Sequence, residues 1–163
     1  MMEGIQLVRV DFRLIHGQVI TKWSKLTDAK SIIVVNDQLA ADEFMADIYV
    51  MAAPPGMKVD VISKDQFVKD AEDGKFDSGK ILVLFKNIED AREVVEKGVK
   101  FKLLQVGGLG SGNGRTSVVK GISVGKTDIA NLAFVQDQGA EVTFQVTPEE
   151  PKLSLEKASK KVR

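Results

Sequence analysis

Short β-branched runs alternate with longer amphipathic stretches along this chain, and that alternation limits its fold more than any other feature. Runs such as Ile32 to Val35 and Ile81 to Phe85 have no polar position to turn toward water. They suit strands covered on both faces, and strands of that kind joined through helices form parallel sheets. We read strands at 5–10, 32–35, 59–62, 81–85, 103–106 and 142–146. Helices are expected over 16–26, 39–52, from a Ser63 cap to about residue 73, over 87–97, 128–138 and 153–160. Asn36-Asp37 and Asn87 supply caps, while Pro54-Pro55-Gly56, Gly98 and Gly139 supply stops. Residues 118–124 read as one or two short strands, antiparallel at a sheet edge. Val19, Ile20, Trp23 and Leu26 share one helical face, and Trp23, Phe44 and Met51 are expected in the core.

No repeat, linker or shift in composition divides the chain, so residues 1–163 are expected to form one domain. The expected class is α/β: a single doubly wound, mostly parallel sheet with helices on both faces. In such sheets, chemistry gathers beyond the carboxyl ends of the strands. That directs attention to loops 11–16, 36–38, 63–65, 86–88 and 107–117.

Composition narrows what those loops can do. Cysteine is absent, so thiol catalysis, disulfides and Cys-ligated zinc are excluded. His16 is the only histidine, which excludes a multi-histidine centre, and no metal or cofactor is expected. A formal net charge of +0 and a pI near 6.6 lack the electrostatic footprint of a nucleic-acid binder. The apolar runs are too short to span a bilayer, and Met-Met-Glu-Gly opens no secretory signal; a cytoplasmic location is expected.

The first loop, Arg9-Val10-Asp11-Phe12-Arg13-Leu14-Ile15-His16-Gly17-Gln18-Val19, sets the only histidine between a strand end and a helix start. Neutral imidazole is a good nucleophile toward phosphorus. Phosphoryl transfer asks a protein mainly for positioning and for positive charge, which arginines and helix-start amides provide. Asp11 suits orienting an arginine or accepting a ring N–H, and Gly17 would let a phosphate approach the backbone closely. The loop is therefore suited to a transient phosphohistidine. Equally, a lone histidine is often a hydrogen-bonded structural residue, and spacing alone does not decide between the two.

The stretch RVDFRLIHGQV resembles the active-site signature of the enzyme IIB components of the mannose/fructose/sorbose-type sugar phosphotransferase system. IIVVND at 32–37, APPG at 53–56 and VGG at 106–108 continue the resemblance in order along the chain. It implies a protein-phosphohistidine–sugar phosphotransferase that takes a phosphoryl group from a phosphorylated IIA protein. The group then passes to a sugar carried by membrane IIC/IID components, on which this protein docks peripherally. By position, His16 is the phosphorylated residue, Arg13 stabilises the phosphate and Asp11 is the supporting carboxylate. Gly17 and Gln18 open the helix beside the phosphate. Phe12 stands where the family usually has an acidic residue, a change that bears on partner surface more than on chemistry.

The glycine-rich run 107–114 invites a nucleotide reading, which fails on spacing. Leu109 occupies the first glycine position of a phosphate-binding P-loop, and Arg115 replaces its lysine. Asn113 replaces the third glycine of the dinucleotide fingerprint. The alternative function is a non-catalytic α/β module that binds a phosphate or nucleotide through this loop, for which His16 would be kinetically silent. A third is a relative that accepts phosphate for sensing and passes it to no sugar.

Overall fold

The computed structural model describes residues 2–162. The expected apolar runs form five adjacent strands of one seven-stranded sheet. They are β1 (Ile5–Val10), β2 (Ser31–Val35), β3 (Lys58–Ile62), β4 (Ile81–Phe85) and β5 (Leu103–Val106). The strand order is β3-β2-β4-β1-β5-β8-β9, where β8 is Glu141–Phe144 and β9 is Leu153–Ser154. Strands β1 to β5 and β8 are parallel, and β9 runs antiparallel against β8.

Strand pleating sends alternate side chains to opposite faces. Val8 and Val10 of β1 join one cluster with α4 (Lys64–Glu72), α5 (Ile88–Glu96), α6 (Lys126–Asp137) and α7 (Leu155–Lys161), through Phe67, Val94, Leu132 and Leu155. Leu7 joins the opposite cluster with α1 (Gly17–Thr27) and α2 (Asp37–Ala40), through Ile20, Trp23 and Leu39. The sheet is therefore doubly wound, as the alternation implied. From β1 the chain crosses to β2 on one face, whereas from β5 it crosses to β8 on the other. The crevice at the carboxyl ends of β1 and β5 is the switch point where such folds place their chemistry.

Helix starts follow the caps in the sequence. Asn36, Ser63 and Asn87 each accept a backbone N–H three residues on, at 3.0, 3.0 and 2.8 Å. Helix α1 differs: His16 is its N-cap and makes no side-chain capping bond.

Several expectations are corrected. The helix at 39–52 is two helices, α2 and α3 (Glu43–Met51), because Asp42 restarts the helix by accepting Met45 N–H at 3.1 Å. Phe44 and Met51 are not core residues; they are 76% and 79% exposed. Helix α3 turns Tyr49 inward instead, beside Ala53 and Met57. Leu26, at the end of α1, is likewise exposed. Residues 116–124 form a hairpin, β6 (Thr116–Val119) with β7 (Ile122–Val124), which is a separate two-stranded sheet and does not extend the edge of the main one. Leu109 ties it down, donating to Gly121 O at 3.1 Å and accepting from Ser123 at 2.9 Å. Strand β9 takes the edge position, and β8 stops at Phe144 instead of Val146. Among the described residues no helix is long and apolar enough to cross a membrane.

Candidate active site

Arg9 is an unlikely residue for the middle strand of a sheet, and its surroundings explain its tolerance there. Its side chain is almost completely buried on the α1 face of β1. The guanidinium lies over the Trp23 ring, 5.3 Å from its centroid. Nη1 donates to Gln105 Oε1 and to Gln145 O at 2.9 Å; Nη2 donates to Val146 O at 2.9 Å and to Asp11 Oδ2 at 3.3 Å. Burial pulls the Arg9 pKa below its ordinary value, and the Asp11 charge opposes that shift. The cation is tolerated because carbonyls and one carboxylate replace its water.

Gly107 is required by the same group. A Cβ at this position would collide with Nη2, Cζ and Nε of Arg9. Gly107→Ala is therefore expected to lower stability by about 1–3 kcal/mol through overpacking. Thermal denaturation beside a Gly110→Ala control, where a Cβ meets open space, checks this. Equal melting temperatures would show that Arg9 has room to move.

Asp11 collects the remaining threads. Its Oδ2 accepts from Arg9 and from Gly108 N–H at 3.3 Å, and lies 3.2 Å from His16 Nε2. Its Oδ1 accepts Arg13 N–H at 3.1 Å. The loop is pinned by backbone bonds from Asp11 to Phe85 O at 2.9 Å, Phe12 to Gly108 O at 3.0 Å and Leu14 to Asp11 O at 3.0 Å. Leu14 holds a left-handed backbone, φ 57°. That conformation costs about 1–2 kcal/mol, and burial of the Leu14 side chain in the cluster with Trp23 offsets it.

The turn delivers His16 to the start of α1, with its side chain 18% exposed. Asp11 engages Nε2, and Nδ1 has no protein partner among the described residues. Helix α1 has neither a side-chain cap nor an acidic residue in its first turn, so no such group competes for its leading N–H groups, and a helix end of this kind favours negative charge. Gly17 adopts φ 47° with open space where a Cβ would stand. The Gln18 backbone belongs to α1, but its side chain lies outside the described residues.

Of the residues singled out in the sequence, Asp11, His16 and Gly17 come together at one point. Arg13 reaches it only through its backbone N–H. Its exposed guanidinium sits over the Phe12 ring, 5.5 Å from the centroid, with no carboxylate partner among the described residues. The glycine-rich run divides in two. Gly107 and Gly108 wall the site, whereas 110–115 is exposed and folds on itself through Arg115 Nη1 to Gly110 O at 2.9 Å. Spacing missed Arg9, Gln105 and Trp23 as parts of the site; the available signal was a cation inside an apolar strand. No group of three or more His, Asp or Glu side chains suited to a metal ion occurs among the described residues.

A family model described as PTS system sorbose subfamily IIB component matches residues 5–163. The mannose-specific EIIAB component of the PTS from Escherichia coli (strain K12) is 35% identical over 151 residues. The match takes in 93% of this chain and 47% of that protein, so the chain spans about half the length of that curated relative. The sorbose-specific EIIB component from Klebsiella pneumoniae is 34% identical over 151 residues, 93% of this chain and 92% of its own. The crystal structure of manxB from Thermoanaerobacter tengcongensis superposes with a TM-score of 0.90 at 35% identity, covering 96% of this chain and 95% of that one.

Proposed function

Because the chain belongs to the sorbose subfamily of IIB components of the sugar phosphotransferase system, we propose that His16 is its phosphoryl acceptor and that Nδ1 is the attacking atom. The observation that carries this reading is the 3.2 Å contact between His16 Nε2 and Asp11 Oδ2. A ring whose Nε2–H donates to Asp11 keeps its lone pair on Nδ1, the nitrogen without a protein partner among the described residues.

The donor is a phosphohistidine on a IIA protein. Nδ1 attacks phosphorus in line, the P–N bond of the donor breaks, and its electron pair returns to the donor imidazole. The His16 ring now carries the phosphoryl group on Nδ1 and a proton on Nε2, so it gains positive charge, which the Asp11 carboxylate opposes. The leading N–H groups of α1 receive phosphoryl oxygens. Arg13, exposed and without a carboxylate partner among the described residues, supplies a cation to the same oxygens. The phosphoryl group then passes to a sugar held by membrane IIC/IID components.

The test is intact-mass measurement after incubation with phosphoenolpyruvate, enzyme I, the phosphocarrier HPr and a mannose-family IIA. One acid-labile phosphoryl group per chain is expected. No gain with several such donors would overturn the reading. Arg13→Lys is expected to slow acceptance by ~10–100-fold, because an ammonium lacks the planar fork that grips two phosphoryl oxygens. Phosphorylation of that variant at the unaltered rate would remove Arg13 from the mechanism.

A further inference from the structure

Helix α3 presents an apolar stripe to solvent. Phe44, Ile48 and Met51 follow one another at i, i+4 and i+7, so they share one face, and Met45 borders it. All four are exposed, and no residue of α3 is buried. A row of large side chains left in water on a helix usually marks a contact surface.

The charge around the stripe limits what can occupy it. The whole chain has a net charge of +0, yet residues 38–57 contain Asp42, Glu43 and Asp47 and no lysine or arginine. Asp42, Glu43 and Asp47 are exposed beside the stripe. The complementary surface is apolar and basic. Cytoplasmic loops of integral membrane proteins carry an excess of Lys and Arg. Anionic lipid, by contrast, would be repelled.

Position on the sheet agrees. Helix α3 packs on β3, the edge strand, which lies three strand spacings from β1, about 14 Å at the usual inter-strand distance. A histidine that must meet a donor and then an acceptor cannot have its crevice permanently covered. A lasting attachment has to lie beside it.

We propose that the α3 stripe docks this chain on the basic cytoplasmic face of its membrane permease component, leaving the His16 crevice free to receive the IIA partner. This rests on the function proposed above. The contact is hydrophobic at Phe44, Ile48 and Met51 and electrostatic along the acidic flank, so it weakens as salt rises.

The test compares the full chain with Phe44→Asp/Met51→Asp and with Glu43→Lys/Asp47→Lys, all at exposed positions. Each is co-sedimented with inverted membrane vesicles from cells making the permease, and with protein-free vesicles containing phosphatidylglycerol. Each is also assayed for phosphoryl acceptance from phospho-IIA. The expected result is binding of the unaltered chain to permease vesicles alone. Each double variant should bind about tenfold or more weakly, in keeping with loss of central apolar anchors or charge complementarity. Acceptance at the unaltered rate shows that the variants are folded. Unchanged binding by the variants would overturn the proposal. So would equal binding to protein-free vesicles, which indicates a lipid contact, or a dimer of the free chain that Phe44→Asp/Met51→Asp dissociates, which indicates a second copy. Absence of phosphoryl acceptance in the unaltered chain would instead refute the proposed function, whatever the vesicles show.

Discussion

His16→Ala is expected to eliminate acid-labile phosphoryl incorporation while shifting stability by no more than about 1 kcal/mol, or ~3 °C in melting temperature for a chain of this size. The chemical half follows from composition: with no cysteine and no second histidine, no other side chain offers a comparable nucleophile toward phosphorus. The structural half follows from how little the ring holds in place. It belongs to neither hydrophobic cluster, and it caps α1 without a side-chain hydrogen bond. Its one side-chain partner among the described residues, Asp11, keeps donors from Arg9, Arg13 N–H and Gly108 N–H when the ring is removed. Intact mass and thermal denaturation of the same preparation check both halves. Full incorporation in the variant would place the acceptor elsewhere; unfolding would make His16 a structural residue.

The middle of the fold was legible because its strands are buried on both faces. Ile81–Phe85 is apolar at every position and has no second interpretation, and the Asn36, Ser63 and Asn87 caps set helix starts to within a few residues. The misreadings concern elements whose pattern does not encode their direction. Phe44, Ile48 and Met51 make a sound helical stripe, but periodicity says only that three residues share a face, and here that face points outward. Strand β9 has two residues, too few to carry any period, and its place is fixed by pairing of Leu153 with Phe144.

Of the site, the sequence displayed what is contiguous and concealed what is assembled. Asp11, His16 and Gly17 lie within one loop, so their type and order suggested the chemistry directly. The walls come from Gln105 to Gly108 on β5 and its loop, and from carbonyls at Gln145 and Val146, more than 130 residues from Arg9. Only the strand order brings them to one crevice. Arg9 was visible as a charge in an apolar run, but its role depends on Trp23 and Gly107 enclosing it.

Asp11→Asn should have the largest combined effect of any single substitution, because one carboxylate balances a buried cation and, in the mechanism proposed above, also orients the acceptor ring. Removing one charge of a buried pair generally costs about 3–5 kcal/mol, and Arg9 has no other carboxylate among the described residues. Phosphoryl acceptance should fall as well, by roughly 10³–10⁴-fold, the scale seen when an aspartate orienting a catalytic imidazole becomes an asparagine. The neutral amide no longer opposes the charge that the ring gains on attack, and its N–H₂ group can favour the wrong tautomer. Combining the substitution with Arg9→Leu separates the two roles. With the buried cation gone, the double variant should regain part of the lost stability, limited by the Gln145 and Val146 carbonyls left without their donor. Its transfer rate should stay low, because His16 still lacks a carboxylate. Recovery of rate together with stability would mean that Asp11 serves the fold alone, and that the imidazole is oriented by something other than its 3.2 Å contact with Oδ2.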